Sequence, residues 1–312
     1  MSADNRIADE VRDRIKHIEN GRAEMTFSII VVCLNAGEKL RETVGSILNQ
    51  TEQDYEIIIK DGGSTDQVTQ SCLQDYRQES NTDRMPHGRI KVYSDKDKGI
   101  YDAMNQAVRY VRGDYVLFLN CGDYFYDKEV LAQVRKRISQ AGIQNGGQVS
   151  HTSESPAQRH IFYGNIYERR TNTLVQSNPV IDDFACYRNV PCHQACFYAA
   201  GLLQEKAFDT SYAVRADYEH FLWCYYKGRA KTVYMPITVA FYEGGGFSET
   251  RENEKRSQRE HKEIVGIYMS AAHIRKYRLI MFITLAPLRT WMARNPVTAD
   301  IYQRLKRKLY KG

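Results

Sequence analysis

The sequence lacks a long apolar run and lacks a secretion signal. No apolar stretch approaches the roughly 18 residues that a membrane-spanning helix needs. The first twenty residues, MSADNRIADEVRDRIKHIEN, are charged and contain no apolar segment of the kind that forms the centre of a signal peptide. These two absences predict a protein that stays in the cytoplasm and has no membrane-spanning helix.

The cysteines form no recognisable framework. Seven are scattered through the chain and no two form a Cys-x-x-Cys pair, so the common zinc and dithiol motifs are missing. Cys192 and Cys196 flank His193, but this segment reads as extended, which is a poor geometry for a zinc site. An odd number of cysteines without a pairing pattern is typical of a protein in a reducing cytoplasm.

The main part of the chain has no net positive charge, although the net charge of the whole chain is +6. Ten Lys and Arg residues but only one acidic residue lie between Ser270 and Gly312, so the rest of the chain is slightly acidic. This distribution counts against a nucleic-acid-binding protein, because such proteins need positive charge on their binding surface. It indicates that the C-terminal tail is a docking element.

The chain does contain a regular alternation of apolar strands with helical patterns. The first strand candidate, FSIIVVCL, is a continuous apolar run, as expected for a strand that is buried on both faces. The segments between the strand candidates repeat apolar residues at helical spacing. This order predicts an α/β fold with a doubly wound, mostly parallel sheet flanked by helices. The four strand candidates are FSIIVVCL (27–34), YEIIIK (55–60), RIKVYS (89–94) and DYVLFLN (114–120).

The pattern changes after a polar segment, residues 139–160, which we interpret as a loop or a partly disordered insertion. Beyond it, IFYGNIYERRTNTLVQS reads as a strand followed by a hairpin, and KTVYMP and ITVAFYEGG read as two further strands. We expect this mixed second half to continue the same sheet. The predicted organisation is an N-terminal helical extension (1–25), one domain (26–248) and a basic, amphipathic helical tail (249–312).

Polar clusters follow three of the predicted strands. They are Asn35-Ala36-Gly37, Asp61-Gly62-Gly63-Ser64 and Asn120-Cys121-Gly122-Asp123. In doubly wound sheets, ligands bind outside the carboxyl ends of the strands. Each cluster alone is equally well explained as a turn, because Gly, Asn and Asp are common turn residues. Three clusters at the same edge of one sheet favour a binding site.

Two stretches are similar to a known family. FSIIVVCLNAGEKLRETVGSILNQTEQDYEIIIKDGGSTD and SDKDKGIYDAMNQAVRYVRGDYVLFLNCGD resemble the inverting glycosyltransferases of family 2, which have the GT-A fold. The second stretch is most similar to a branch that builds bacterial surface and capsular polysaccharides, including colanic-acid-type enzymes. The resemblance covers about residues 26–248. It implies transfer of a sugar, most often from a UDP-sugar, to a hydroxyl of an oligosaccharide linked to a polyprenyl diphosphate lipid.

The resemblance also implies a donor site at the strand ends. One departure from the family stands out, because many relatives have a second aspartate where this chain has Gly62. The implied donor-binding residues are Asn35 and Ala36 beside the nucleoside, Asp61 on the base, Asp95, Lys98 and Gly99 around the phosphates, and Asn120.

The segment Asn120–Asp123 aligns with the Asp-x-Asp metal motif of the family, but two of its carboxylates are missing and only Asp123 remains. Mg²⁺ or Mn²⁺ keeps several water and phosphate ligands, so one protein carboxylate is compatible with a metal site. Asn120 can still accept a hydrogen bond or orient a water molecule. The alternative is a metal-free site in which Lys98 or arginine side chains neutralise the diphosphate.

Asp217, in RADYEHFLW, corresponds to the acidic residue that acts as catalytic base in the family. A carboxylate within hydrogen-bonding reach of the acceptor hydroxyl is sufficient for this role. We expect a helix to begin near Ala216, which places Asp217 in its first turn. Aspartates in the first turn of a helix often only cap the helix, which is the alternative. Glu219 is the second candidate for the base. His193 and Gln194 resemble a family feature on the acceptor side, although a histidine beside an apolar run is more often a structural residue.

The tail contains LIMFITLAPL (279–288), with Arg275, Lys276 and Arg278 before it and Arg289 after it. An apolar segment of this length between basic residues is typical of a helix that lies in the membrane interface. The alternative is a helix that packs on the core. The resemblance favours the membrane, and we expect a peripheral protein on the inner face of the plasma membrane.

Two other functions remain open at this point. A sugar-phosphate nucleotidyltransferase has a Gly-rich, basic loop after its first strand, and LNAGEKL is a poor match to it. A catalytically degenerate relative that acts as a membrane-associated scaffold is the other, and the glycines at positions 62 and 122 support it.

Overall fold

The structure is a computed structural model, and it describes residues 27–79, 89–141, 159–244 and 250–284. The predicted N-terminal helix (1–25) lies outside these residues, as does most of the predicted polar loop. The helices are α1 Glu38–Leu48, α2 Gln67–Glu79, α3 Ile100–Val108, α4 Val130–Gln140, α5 Asp183–Arg188, α6 Ala200–Glu205, α7 Ala216–Tyr226, α8 Arg251–Tyr268 and α9 Ala271–Ile283, with a 3₁₀ turn at His193–Ala195.

Nine strands form a single sheet in the order β3-β2-β1-β4-β8-β6-β9-β5, with β7 paired to β6. Because one sheet contains strands from both halves of the chain, the prediction that the second half continues the first sheet is confirmed. The strands are β1 Phe27–Cys33, β2 Tyr55–Asp61, β3 Ile90–Ser94, β4 Tyr115–Phe118, β5 Tyr124–Phe125, β6 His160–Glu168, β7 Thr173–Val175, β8 Cys196–Ala199 and β9 Lys231–Tyr242.

The first four strands are parallel, as the alternation of strands and helices predicts. Every residue of β1 and β2 is buried, as expected for strands that are covered on both faces, although β2 also contains Glu56, Lys60 and Asp61. Cys33 pairs with Asp61, and Asp61 pairs with Ser94, so β1, β2 and β3 end side by side. The polar residues that follow these strands therefore meet at one edge of the sheet.

The second half of the sheet is mixed rather than mostly parallel. β8 is antiparallel to β4 and β6, whereas β9 runs parallel to β6. The predicted hairpin after IFYGNIYE is present, because β7 pairs antiparallel with β6. The expectation of two separate strands at 231–244 was wrong, since β9 runs from Lys231 to Tyr242. It continues through Pro236 because the register shifts there, and proline is tolerated at such an irregularity.

Aromatic side chains fill the core where the two halves of the sheet meet. Phe27 lies edge-on to Phe197, with ring centroids 5.7 Å apart, and Tyr115 lies edge-on to Phe162 at 5.6 Å. All four side chains are buried. Full burial of one such side chain contributes about 1.5–3 kcal/mol. This junction therefore joins the parallel and mixed halves into one core.

The C-terminal helices extend this packing. α8 contacts α7, and α9 contacts both α5 and α8. Tyr277 is buried, but Leu279, Phe282 and Ile283 at the end of α9 are 57–75% exposed. None of the helices in the described residues is both long and apolar enough to cross a membrane.

Candidate active site

The turns after β1 and β2 are tied together by hydrogen bonds through Ser64. Asp61 is buried, and its Oδ1 accepts bonds from the Ser64 amide (2.9 Å) and hydroxyl (2.6 Å). The Asn35 amide donates to the Ser64 hydroxyl at 2.8 Å, and Asn35 Oδ1 accepts from the Thr65 amide at 2.8 Å. Ala36 lies half-buried beside them. The structure thus brings together the three residues predicted to border the nucleoside.

A buried lysine holds the segment after β3 against this turn. Lys60 is 1% exposed, and its ammonium donates to the backbone carbonyls of Asp61 (2.8 Å) and Asp95 (2.5 Å). The Asp97 carboxylate lies 3.6 Å away and supplies the counter-charge. A buried ammonium needs such partners, because desolvation strongly disfavours an unpaired charge. Sequence analysis missed Lys60, although a lone cation at the end of an apolar strand was a signal.

Lys98 and Gly99 lie directly before α3. The Asp102 carboxylate accepts a bond from the Lys98 amide at 2.9 Å, and the Lys98 side chain is exposed. Gly99 has φ of +128°, a conformation that favours glycine. A lysine side chain beside a helix N-terminus creates a positive potential there. The predicted phosphate-side residues Asp95, Lys98 and Gly99 therefore adjoin the predicted nucleoside residues.

The turn after β4 is built around buried Asp123. Its carboxylate accepts bonds from the Gln194 side chain (3.0 Å) and the Glu243 amide (3.1 Å). Thr43 completes the turn, since its hydroxyl accepts from the Gly122 amide and donates to the Asp123 carbonyl. Burial raises the pKa of Asp123, although the bond from Gln194 opposes this. Both oxygens of the predicted metal ligand thus hold the turn to neighbouring elements.

Asn120 connects this turn to the 3₁₀ turn at His193–Ala195. Its amide nitrogen lies 3.1 Å from His193 Nε2, while its Oδ1 is buried and has no hydrogen-bond partner among the described residues. If the amide donates, His193 Nε2 accepts, and the ring proton must be on Nδ1. His193 Nδ1 lies 3.2 Å from Asp217 Oδ2. In this arrangement His193 Nδ1 donates to Asp217 Oδ2.

Asp217 lies in the first turn of α7, as predicted, and its carboxylate is 26% exposed. Its second oxygen, Oδ1, accepts from the Tyr101 hydroxyl at 2.9 Å. Burial raises the pKa of Asp217, but the hydrogen bonds from His193 and Tyr101 outweigh this and lower it. The helix N-cap is Arg215, without a side-chain cap. The carboxylate is therefore ionised at neutral pH and directed toward His193 and Tyr101.

Glu260 of α8 fixes the segment that leads into α7. Its buried carboxylate accepts three backbone amide bonds, from Ala213 (3.0 Å), Val214 (3.0 Å) and Arg215 (2.9 Å). Such charge-assisted bonds are among the strongest that a carboxylate makes to a backbone. Sequence analysis placed Glu260 in the tail and gave it no role. Nothing in the sequence alone signals this contact, because 45 to 47 residues separate the partners.

The structure does not bring Glu219 to the same cluster. Its carboxylate is buried, with Lys206 Nζ at 2.5 Å and the Tyr268 hydroxyl as a second partner. Two residues along a helix correspond to a rotation of about 200°, which points Glu219 away from the side chain of Asp217. Of the two acidic candidates for the base, only Asp217 contacts His193 and Tyr101.

In the part of the chain that the structure describes, no three His, Cys, Asp or Glu side chains come together to hold a metal ion. The turn after β4 nevertheless offers oxygen donors, including the unpartnered amide oxygen of Asn120. Mg²⁺ and Mn²⁺ prefer such donors and take their remaining ligands from phosphate and water. The residues present therefore fit a divalent cation that is bound together with a diphosphate.

Comparison with known sequences gives a consistent result. The sequence profile described as Glycosyl transferase family 2 matches residues 28–191. A PGL/p-HBAD biosynthesis glycosyltransferase from Mycobacterium bovis is 33% identical over 227 residues, covering 72% of this chain and 79% of that protein. Chondroitin synthase from Escherichia coli is 28% identical over 199 residues, which is 62% of this chain and 26% of the synthase.

Solved structures show the same fold at low sequence identity. S. aureus TarS 1–349 in complex with UDP-GlcNAc superposes with a TM-score of 0.55 and 18% identity, covering 81% of this chain and 70% of that one. The mannosyltransferase PcManGT from Pyrobaculum calidifontis, in complex with GDP-Man and Mn²⁺, gives 0.57 and 16%, covering 92% and 81%. The chain spans 42% of a longer TarS chain.

Proposed function

The chain belongs to glycosyl transferase family 2 and has the GT-A fold, and we propose that it transfers a sugar from a nucleotide donor to an acceptor hydroxyl with inversion at the anomeric carbon. The observation that supports this most is the linked group Asn120, His193, Asp217 and Tyr101. It joins the turn after β4 to an ionised, partly exposed carboxylate. A scaffold has no need of such a carboxylate, and the family match disfavours a nucleotidyltransferase.

The donor is a UDP-sugar that binds across the ends of β1, β2 and β3. Asn35, Ala36 and Asp61 border the nucleoside, and the segment Asp95–Gly99 covers the diphosphate. Lys98 and the N-terminus of α3 supply positive charge near the phosphates. Solved relatives of the same fold bind UDP-GlcNAc in one case and GDP-Man in another, which supports a nucleotide-sugar donor.

A divalent cation, Mg²⁺ or Mn²⁺, binds at the turn after β4. When bound, it neutralises the negative charge that builds up on the leaving diphosphate. The amide oxygen of Asn120 has no hydrogen-bond partner among the described residues, which makes it a candidate ligand. Asp123 is the ligand that the family resemblance predicts, and that role stays a prediction, because both of its oxygens accept hydrogen bonds within the protein.

Asp217 is the general base of the transfer. The acceptor hydroxyl gives its proton to the Asp217 carboxylate while its oxygen forms a bond to the anomeric carbon. The bond from that carbon to the diphosphate oxygen breaks, and its electron pair leaves with the nucleotide. Attack from the face opposite the leaving group inverts the configuration. His193 and Tyr101 hold the carboxylate in place, and Glu260 holds the backbone that precedes it.

The acceptor is a lipid-linked oligosaccharide presented at the inner face of the plasma membrane. A cavity of about 610 Å³ between α8, α9 and Tyr187 supports this location. Its described lining includes Lys262, Arg275 and Arg278 and no carboxylate. The exposed apolar end of α9 lies on the same helix as both arginines. Basic and apolar side chains in this combination are typical of surfaces that bind anionic membranes.

Nucleotide binding tests the donor assignment first. UDP, GDP and CMP, each with and without Mn²⁺, are added to the purified protein and the thermal unfolding midpoint is measured. A ligand that binds only the folded state stabilises it, by about 2.7 kcal/mol at one hundred times its Kd. We expect UDP to raise the midpoint and Mn²⁺ to increase the effect. If no nucleotide acts at millimolar concentration, the scaffold function is favoured instead.

Vesicle binding tests the membrane contact separately. We expect the protein to co-sediment with vesicles that contain phosphatidylglycerol and to stay in solution with pure phosphatidylcholine. An Arg275→Glu/Arg278→Glu variant should lose this binding while UDP still stabilises it. Equal binding of both proteins would contradict the proposed role of α9.

A further inference from the structure

The position of Gly122 is filled by a side chain from another part of the chain. A Cβ atom on Gly122 would lie 2.5 Å from Glu243 Oε2 and 3.5 Å from Lys39 Cδ, so the Glu243 carboxylate occupies the space that a side chain at this position would take. Gly122 also has φ of +99°, which strains any other residue. The carboxylate that the family resemblance predicts at this turn is thus replaced in space by that of Glu243.

The backbone of Glu243 is anchored while its carboxylate remains accessible. Its amide donates to Asp123 Oδ1 at 3.1 Å, directly after the end of β9. Its side chain is 41% exposed and pairs with Lys39, itself 51% exposed, at 2.7 Å. Exposed ion pairs of this kind are weak, because water and salt screen them. A doubly charged cation can therefore displace the ammonium.

A second oxygen donor lies on the same turn. Asn120 Oδ1 is buried and has no hydrogen-bond partner among the described residues, which is uncommon for a buried acceptor. A carboxylate and an amide oxygen are both hard ligands suited to Mg²⁺ or Mn²⁺. Two protein donors leave the remaining coordination positions for a diphosphate and water.

We propose that Glu243, rather than Asp123, is the carboxylate that binds the divalent cation at the turn after β4, and that Lys39 is its counter-ion when no cation is bound. This inference rests on the proposed function, because the diphosphate of the donor completes the site. It assigns Asp123 to the framework of the turn. It also predicts that Lys39 and the cation compete for one carboxylate.

The test measures Mn²⁺ binding directly on the full chain, by the loss of the electron paramagnetic resonance signal of free Mn²⁺ with UDP present. Glu243→Gln keeps the shape of the side chain and removes its charge. We expect it to weaken Mn²⁺ binding by about tenfold or more, the effect of disturbing a metal site. UDP affinity without metal should stay within a factor of about two, since the variant removes only a metal ligand.

Lys39→Met should have the opposite effect. Without the competing ammonium, Mn²⁺ binds up to about fivefold more tightly, as expected for the loss of one exposed ion pair. Glu42→Gln is the matched control, because Glu42 is an exposed glutamate on the same helix as Lys39, and it should leave Mn²⁺ binding unchanged.

Three outcomes overturn the inference. One is a Glu243→Gln variant with the Mn²⁺ affinity of the wild type. Another is weaker binding in Lys39→Met. The third is a wild-type protein that binds UDP but no Mn²⁺, which leaves the transferase function intact and removes the cation site. Failure to bind any nucleotide would instead count against the proposed function itself.

Discussion

The turns after β2 and β4 each have a glycine at an equivalent place, and a different carboxylate fills the space beside each glycine. Each turn has a glycine where the family resemblance predicts a carboxylate, and in each a Cβ on that glycine would lie 2.5 Å from a carboxylate oxygen, of Asp97 at Gly62 and of Glu243 at Gly122. Asp97 is only 9% exposed and is paired with buried Lys60, whereas Glu243 is 41% exposed and is paired with exposed Lys39.

Because of this difference in exposure, we assign the carboxylate at the turn after β2 to the framework and the carboxylate at the turn after β4 to a ligand site. At the turn after β2, the replacing carboxylate also accepts the Gly99 amide at 3.0 Å, so its oxygens are used to hold the segment 95–99. At the turn after β4, the backbone is held by Thr43 and Asp123, which leaves the replacing carboxylate at the surface. A buried ion pair orders the first turn, and an exposed one leaves the second turn available to a ligand.

We expect the largest effect, a loss of activity, from a change of the proposed base, which is linked to the turn after β4 through His193 and Asn120. Asp217→Asn removes the base and should lower kcat by about 10²–10⁴-fold, the usual contribution of general base catalysis. The UDP-induced shift in the unfolding midpoint should be unchanged. Transfer is measured as UDP release in the presence of acceptor, and the anomeric configuration of the product by NMR. Wild-type activity in this variant would remove Asp217 from the mechanism.

The two lysines test the comparison directly through stability. Lys60→Met leaves the buried Asp97 carboxylate without its counter-charge, so we expect a loss of about 3–5 kcal/mol in the free energy of unfolding. Lys39→Met removes an exposed partner and should cost about 1 kcal/mol or less. Urea unfolding of both variants gives the two values. Similar losses would show that the turns do not differ as described.

We expect that an aspartate can replace Gly62 in the turn after β2 but not Gly122 in the turn after β4. Gly62→Asp alone crowds Asp97 and should cost about 1–3 kcal/mol, whereas Gly62→Asp/Asp97→Gly should recover a measurable part of this loss. Gly62 has no positive φ, so its backbone accepts a side chain. Gly122→Asp/Glu243→Gly should not recover, because φ of +99° remains strained. Double-mutant cycles in urea provide the measurement.

The smallest effect is a shift in pH dependence. The pKa of Asp217 is lowered from 3.8, so the bonds that lower it stabilise the fold above that pH and are lost as the pH falls through the lowered value. The acid limb of kcat/KM should therefore lie below pH 3.8 in the wild type. His193→Gln should move the limb to higher pH, because burial of Asp217 is then less well opposed.

His193→Asn is the control for this shift. An asparagine amide can donate from near the position of His193 Nδ1, so the limb should return toward that of the wild type. A limb that does not move in His193→Gln would show that His193 has no influence on the ionisation of Asp217.

Much of the fold was accessible from the sequence because the signals are local. The apolar run of β1 and the alternation of strand and helix patterns after it identified β1 to β4, and the first-turn position of Asp217 on α7 was predicted correctly. The single long strand β9 was not, because Pro236 reads as a strand end when the partner strand that absorbs the irregularity is unknown.

Sequence alone determined the class of the protein, since the order of strands and helices and the motifs at the strand ends depend only on neighbours along the chain. Tertiary structure decided which residues replace the missing carboxylates and what holds the base. Asp97 lies 35 positions beyond Gly62, and Glu243 lies 121 positions beyond Gly122. Contacts over such separations are made by the packing of the sheet, and no local pattern encodes them.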